Sequence, residues 1–140
     1  MKDVLVLVVA AFLSAQEKPA VSLLLHDRGA GIQYSVTISS GAETQGVARV
    51  GGDKSRSGEV DRTEVNELLD QLDKLEVTKI GSTSSGVKND GYQFSLQSGD
   101  QRKQFNVYWD QVKKGEEKPY RDVLETVRKF CVDHSKESEK

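Results

Sequence analysis

Apolar and polar residues alternate along two stretches near the start of the chain. In residues 21–26 valine and leucine recur at every second position, and residues 32–39 alternate Ile, Tyr and Val with Gln, Ser and Thr. A period of two predicts β-strands with one buried face and one wet face. Gly29-Ala30-Gly31 separates the two stretches and is a turn signal, so the strands are predicted to form a hairpin.

A second hairpin is predicted in the C-terminal half of the chain. Residues 92–97 and 104–109 both alternate aromatic or aliphatic side chains with polar ones, and a turn signal at residues 98–100 separates them. The alternation places Trp109 on the core side of its strand and Tyr108 on the opposite face. Aromatic pairs across the two strands are therefore expected to stabilise this hairpin.

Two amphipathic helices are predicted, and each has a recognisable start. Asp61 and Glu64 have the spacing of a capping box, and Pro119 suits the first turn of a helix, where its missing N–H is not needed. One apolar stripe at helical spacing follows each start. The stripe residues are Val65, Leu68, Leu69 and Leu72 in the first helix, and Tyr120, Val123, Leu124, Val127, Phe130 and Cys131 in the second.

The predicted element order is β-β-(β)-α-β-β-α, where the bracketed strand covers residues 45–50. Residues 55–60 are left open as a further short edge strand. This order predicts an α+β fold, an antiparallel sheet of four or five strands with two amphipathic helices packed on one face. Residues 81–90, which begin with a Gly- and Ser-rich run, predict a flexible loop. Residues 16–134 are predicted to form a single α+β domain, and residues 135–140 a charged flexible tail, with fraying after Val132.

The first fifteen residues have the pattern of a secretory signal peptide. Lys2 and the α-amino group give a positive start, residues 4–13 are all apolar, and the small residues Ser14 and Ala15 precede the polar Gln16. A secretory apolar region has about 7–15 residues, whereas a membrane-spanning helix needs about 20. We therefore expect export to a periplasm or the extracellular space and a mature chain without a membrane span; a buried N-terminal strand is the alternative.

Charge and cysteine content narrow the class of partner. The chain has 20 Lys and Arg residues against 22 Asp and Glu, a net charge of −2, and so lacks the basic field that nucleic acid binding requires. Its one cysteine, Cys131, excludes an internal disulfide and lies on an apolar helix stripe, which favours a buried thiol over a bond between chains. We expect a monomer whose partner is a protein or a component of the cell envelope.

Candidate catalytic and ligand-binding residues are few. The two histidines are His26, at the end of the first strand beside Asp27, and His134, in the charged tail. No metal-ligand spacing occurs, and residues 51–55 depart from a phosphate loop because Asp53 stands where the second glycine should be. The sequence therefore predicts no cofactor and no metal, and a small hydrolase that uses His26 and Asp27 is one alternative function.

Three motifs follow one another between the first hairpin and the closing helix. They are Gly-Val-Ala-Arg-Val-Gly at residues 46–51, Glu-Val-x-x-Leu-Leu at residues 64–69 and Asp-Gly-x-x-hydrophobic-x-Leu at residues 90–96. Over about residues 32–132 this arrangement resembles a family of short exported bacterial proteins known as a domain of unknown function. The resemblance implies a hairpin-helix-hairpin-helix fold and brings no catalytic residue.

The turn at residues 27–32 is the candidate contact region. Its sequence, Asp-Arg-Gly-Ala-Gly-Ile, approximates the Ser-Gly-Gly-hydrophobic-Ala-Gly turn of emfourin-type inhibitors of thermolysin-like metalloproteases. The chain resembles these inhibitors more weakly than it resembles the exported family. This second resemblance implies a secreted protease inhibitor with the turn as its inserting loop. We predict an exported, non-catalytic binding domain, with the inhibitor as the alternative. The candidate contact residues are Asp27, Arg28, Gly29, Ile32 and Tyr108.

Export of the full chain is expected to remove the first fifteen residues, because the apolar run ends beside small residues that suit a signal peptidase. Mass spectrometry of the protein recovered outside the cytoplasm measures the new N-terminus, which we expect near Gln16. Leu7→Arg interrupts the apolar run and should leave the unprocessed chain inside the cell. An exported protein that still begins at Met1 would contradict the prediction.

Overall fold

The computed structural model describes residues 18–135, so the predicted signal peptide at residues 1–15 lies outside the described residues. One six-stranded antiparallel sheet has the strand order β4-β3-β2-β1-β5-β6 and is accompanied by two helices. The strands are β1 (Val21–Asp27), β2 (Ile32–Ile38), β3 (Gly46–Gly51), β4 (Arg56–Val60), β5 (Gly91–Ser98) and β6 (Gln101–Tyr108). The helices are α1 (Arg62–Lys74) and α2 (Glu117–Ser135). The predicted α+β class is confirmed.

The sheet has six strands rather than the predicted four or five, and four of them precede α1. The strand that the sequence pattern left open is β4, in which Val60 is the only apolar residue. The physical reason lies at Gly58, where a Cβ atom would lie 1.7 Å from the carbonyl oxygen of His134 in α2. Helix backbone, rather than an apolar side chain, covers the inner side of this strand, so the usual alternation is missing.

Both helices cover the same side of the sheet. Inward-facing residues of the strands and the stripes of α1 and α2 form one hydrophobic core. The most deeply buried side chains include Leu23, Leu25, Val36, Tyr92, Phe94, Phe105, Val65, Leu68, Leu72, Val123, Val127 and Cys131. In the described part of the chain, neither helix has the length and apolar character that crossing a membrane requires.

Aromatic pairs hold the β5–β6 hairpin as predicted. Phe94 and Phe105 are directly opposite in the register and stack with ring centroids 4.9 Å apart. Tyr92 is fully buried and donates its hydroxyl to the carbonyl oxygen of Tyr120 in α2 at 2.7 Å. Trp109 was predicted within the strand, but it begins a short 3-10 turn and packs on Tyr92 at 5.8 Å. The hairpin is therefore tied to the helix layer through its aromatic residues.

The start of α1 is organised by one buried arginine. Arg62 is only 3% exposed, and its guanidinium donates to the carbonyl oxygens of Ala42, Pro19 and Ser39 at 2.9, 2.6 and 2.8 Å. Its backbone N–H donates to the carbonyl oxygen of Glu43 at 2.7 Å. Because buried polar groups must be hydrogen-bonded, this one side chain joins the entry to β1, the β2–β3 loop and the helix.

The predicted capping box at the start of α1 is confirmed, and it extends to α2. The Asp61 carboxylate accepts from the N–H of Glu64 at 2.8 Å, and the Glu64 carboxylate accepts from the N–H of Asp61 at 2.9 Å. The second oxygen of Glu64 lies 2.9 Å from Nε2 of His134, whose Nδ1 lies 2.8 Å from the carbonyl oxygen of Phe130. His134 thus braces the two helices against each other.

This brace changes the prediction for the end of the chain. The pattern predicted fraying after Val132 and placed His134 in a charged tail, but α2 continues to Ser135, which is fully buried. The remainder of the predicted tail, residues 136–140, lies outside the described residues. The difference arises because the partner of His134 is Glu64, seventy positions away in the chain.

The segment between α1 and β5, predicted as a flexible loop, is bonded to the edge of β6. Asn106 donates its N–H to the hydroxyl of Ser82 and accepts from the N–H of Thr83, each at 2.9 Å. The carboxylate of Asp110 accepts from the N–H groups of Val87 and Lys88 at 3.0 and 3.2 Å. The segment therefore protects part of an otherwise exposed sheet edge.

The buried thiol predicted at Cys131 is confirmed. Its side chain is fully buried in the core, and Sγ lies 3.6 Å from the carbonyl oxygen of Ser35. Burial raises the pKa of the thiol from 9.0 to about 12, against a smaller lowering by the backbone of Ser35 and Arg49. A neutral thiol in this position behaves as a small apolar side chain and is inert as a nucleophile.

Arg62→Met is expected to lower the free energy of unfolding by roughly 3–5 kcal/mol, because three carbonyl groups lose their charged donor. Urea unfolding followed by circular dichroism measures the change. Arg128→Met is the matched control, because Arg128 is on the surface of α2 and pairs with Glu125, so its loss should stay within about 1 kcal/mol. Equal losses at the two positions would contradict the anchoring role of Arg62.

The free energy of unfolding is expected to fall as the pH rises from 9 towards 12. In this range the Cys131 thiol loses its proton in the unfolded chain but keeps it in the folded protein, where its pKa is raised. Below pH 9 this contribution is fully present. Cys131→Ala should reduce the pH slope of the unfolding free energy by up to about 1.4 kcal/mol per pH unit. Urea midpoints at pH 8, 9, 10 and 11 measure both slopes, and identical slopes would contradict the assignment.

Candidate functional site

The side of the sheet away from the helices is exposed, and we call it the open face. Each strand contributes the side chains that alternate with its buried ones. The open face consists of Ser22, Leu24, His26, Arg28, Gln33, Ser35, Thr37, Val47, Arg49, Gly51, Ser57, Glu59, Gln93, Ser95, Gln97, Arg102, Gln104, Asn106 and Tyr108. Hydroxyl and amide groups dominate it, and such groups can pair with the backbone or polar side chains of another molecule.

An apolar side chain lies at the centre of the open face. Leu24 of β1 is 42% exposed, and its register partners are Ser35 on one side and Ser95 on the other. These short neighbours leave its side chain accessible. An exposed leucine among hydrogen-bonding groups has the arrangement of an interface centre, an apolar side chain with polar surroundings.

The net charge of the open face is positive, opposite in sign to the net charge of the chain. Arg28, Arg49 and Arg102 lie on it with one carboxylate, that of Glu59, whereas the chain as a whole has a net charge of −2. The positions assigned to this face include no lysine. The cations on the face are therefore all guanidinium groups, which bind carboxylates in a planar, two-point geometry.

Arg49 stands beside a shallow depression of about 460 Å³. Gly51, which has no side chain, lines this depression. Ser35 and Ser57 are the register partners of Arg49 on the two adjacent strands. Within the described part of the chain, the exposed Arg49 side chain makes no ion pair. A carboxylate entering this depression would meet a charged donor and hydroxyl groups together.

Two of the predicted contact residues meet at one corner of the open face. The guanidinium carbon of Arg28 lies 4.2 Å from the ring centroid of Tyr108, although the residues are eighty positions apart. Arg28 also donates to the carbonyl oxygen of Val107 at 2.5 Å and to the side chain of Asn106 at 3.5 Å, while its buried Nε has no hydrogen-bond partner among residues 18–135. One face of the Tyr108 ring is therefore occupied by the arginine.

The other predicted contact residues form a tight turn. The carboxylate of Asp27 accepts from the N–H of Ala30 at 3.2 Å, and Asp27 and Ile32 are register partners at the end of the hairpin. A Cβ atom at Gly29 would lie 2.2 Å from the carboxylate of Asp90, so the turn also packs against the segment before β5. The turn is therefore held in place at its base, while Gly29, Ala30 and Gly31 at its tip are exposed, and its use as an inserting loop stays a prediction.

The pairing proposed for the hydrolase alternative is not formed. His26 and Asp27 are consecutive residues of β1, so their side chains point to opposite sides of the sheet. His26 lies on the open face between Gln33 and Gln93. Within residues 18–135, no three His, Cys, Asp or Glu side chains are gathered as potential ligands of a metal ion.

Sequence reasoning missed Leu24 and Arg49 as site residues, although each has a local signal. Leu24 is an apolar residue at a polar position of an alternating strand, between Leu23 and Leu25. Arg49 occupies an outward position in a strand whose inward neighbours are Ala48 and Val50. Out-of-phase residues of this kind identify an exposed face, but only the strand register shows which of them lie side by side.

Comparison with protein-family models, with curated proteins and with solved structures found no match. The resemblances to the exported domain family and to the emfourin-type inhibitors therefore stay predictions from the motifs. The residues of the open face, rather than a relative, provide the basis for a function.

Proposed function

We propose that this chain is an exported, non-catalytic binding domain that holds a protein partner against the open face of its sheet. The observation that carries the proposal is the exposed Leu24 at the centre of a helix-free face whose other residues are mostly hydroxyls, amides and arginines. Interfaces combine an apolar centre with a polar surround and favour arginine over lysine.

The size of the open face supports a protein partner. Six strands spaced about 4.8 Å apart give a width of about 24 Å, and strands of five to eight residues give a comparable length. The projected area is on the order of 500 Å², and side-chain relief increases the accessible surface towards the roughly 800 Å² per partner of a standard interface. A small ligand would need a deeper enclosure than this flat surface offers.

The placement of the chemically active residues supports a non-catalytic role. The thiol of Cys131 is sealed in the core, and His134 is engaged with Glu64 between the helices. His26 and Asp27 face opposite sides of the sheet. Export is supported by the apolar run at residues 4–13 followed by small residues.

Leu24→Ser is expected to weaken capture of a partner from the compartment into which the protein is exported, because it removes the apolar centre of the open face. The captured fraction, quantified by mass spectrometry, should fall by about tenfold. Val87→Ser is the matched control, since Val87 is the other large apolar side chain identified as exposed, at 96%, and lies in the α1–β5 segment.

Circular dichroism and urea unfolding check that both variants are folded. Loss of capture in Leu24→Ser with normal capture in Val87→Ser supports the open face as the binding surface. Equal capture by the wild type and both variants, or equal loss in both, would remove the proposal. Hydrogen exchange of the complex adds a direct map, with protection expected in β1, β2 and β3.

A further inference from the structure

The sign of the charge differs between the open face and the exposed surface of α1. The open face has three arginines and one glutamate, whereas the exposed surface of α1 includes the carboxylates of Glu67, Asp70 and Asp73 with Lys74. Complementary charge directs the approach of a partner and disfavours the wrong docking surface. An acidic partner is attracted to the open face and repelled by the exposed surface of α1.

The guanidinium of Arg49 is the best placed group for a direct contact. It is exposed, makes no ion pair within the described residues, and lies beside the depression floored by Gly51 and edged by Ser35. A carboxylate can take two parallel hydrogen bonds from a guanidinium and a third from a serine hydroxyl. The depression, about 460 Å³ in volume, is large enough for an acidic side chain and its backbone.

An apolar contact lies at a defined distance from this charged contact. Leu24 and Arg49 occupy the same row of the register, with Ser35 of β2 between them. Two strand spacings separate their backbones, about 10 Å. A partner that engages both residues must present an acidic and an apolar side chain with a similar separation.

We infer that the occupant of the open face is an acidic protein segment whose carboxylate binds Arg49 and whose apolar side chain packs on Leu24. This inference rests on the proposed function and adds the chemistry of the partner. Nucleic acid is disfavoured because the chain has a net charge of −2 and because Arg28 occupies one face of the Tyr108 ring, the aromatic ring of this face, where a base would otherwise stack. An anionic membrane is disfavoured because recognition of anionic lipid takes a cluster of about four to eight Lys or Arg residues, whereas the open face has three arginines and a glutamate.

The probe for this inference is a twelve-residue peptide in which every second residue is serine and the positions between are glutamate and leucine in turn. The control peptide has the same sequence with glutamine in place of each glutamate. Amide chemical shifts of the isotope-labelled protein measure the dissociation constant and the binding site. We expect shifts at Leu24, Ser35 and Arg49, affinity at least tenfold higher for the acidic peptide, and weaker binding at 300 mM than at 50 mM salt.

Arg49→Gln should weaken binding of the acidic peptide roughly tenfold, and Arg49→Lys should weaken it less because charge remains without the planar donor pair. Lys129→Gln is the matched control: it makes the same charge change on the exposed surface of α2, away from the open face, and should leave binding unchanged. The amide spectra of all three variants report whether they are folded.

Equal weakening by Arg49→Gln and Lys129→Gln, equal affinity for the two peptides, or no binding of the acidic peptide would overturn the inference. Arg49-dependent binding of phosphatidylserine vesicles or of a single-stranded oligonucleotide without peptide binding would also overturn it. If Leu24→Ser abolishes partner capture while Arg49→Gln does not, the acidic partner is excluded but the binding function stands. If neither variant affects capture, both proposals fail.

Discussion

One-sided burial is the constraint on which the rest of this structure depends. Strand residues alternate between the two sides of the sheet, and both helices lie on the same side, so every strand divides its side chains between a sealed core and water. The core side therefore demands apolar residues of matched size. The open face has no such demand, and most of its residues have hydroxyl, amide or guanidinium groups.

The position of the helix layer is determined by polar contacts that are long-range in sequence. Arg62 joins α1 to the entry of β1 and to the β2–β3 loop through three carbonyl oxygens, and His134 joins α2 to Glu64. Such contacts add orientation to the non-directional attraction of the core. Because these polar contacts lie in the helix layer and at its junctions, substitutions on the open face should cost little stability.

Most of the fold could be predicted from local pattern because alternation and capping are local properties. Both hairpins, the capping box of Asp61 and Glu64, and the burial of Cys131 followed in this way. The strand β4 was underestimated because Gly58 faces helix backbone rather than a side-chain core. The segment after α1 was predicted as a flexible loop from its Gly- and Ser-rich run. Its bonding to β6 and Asp110 was missed because those partners are distant in sequence.

The sequence alone determined the two hairpins, the two helices and the alternation that divides the side chains of each strand between two sheet faces, because each depends on neighbours within a few positions. Tertiary structure alone decided which of these residues meet. Strand order brings Arg28 onto Tyr108 and places Leu24 in one row with Arg49. Helix packing places His134 against Glu64 instead of in a charged tail. Register and packing arise from the summed burial of the whole core, and no local segment contains that information.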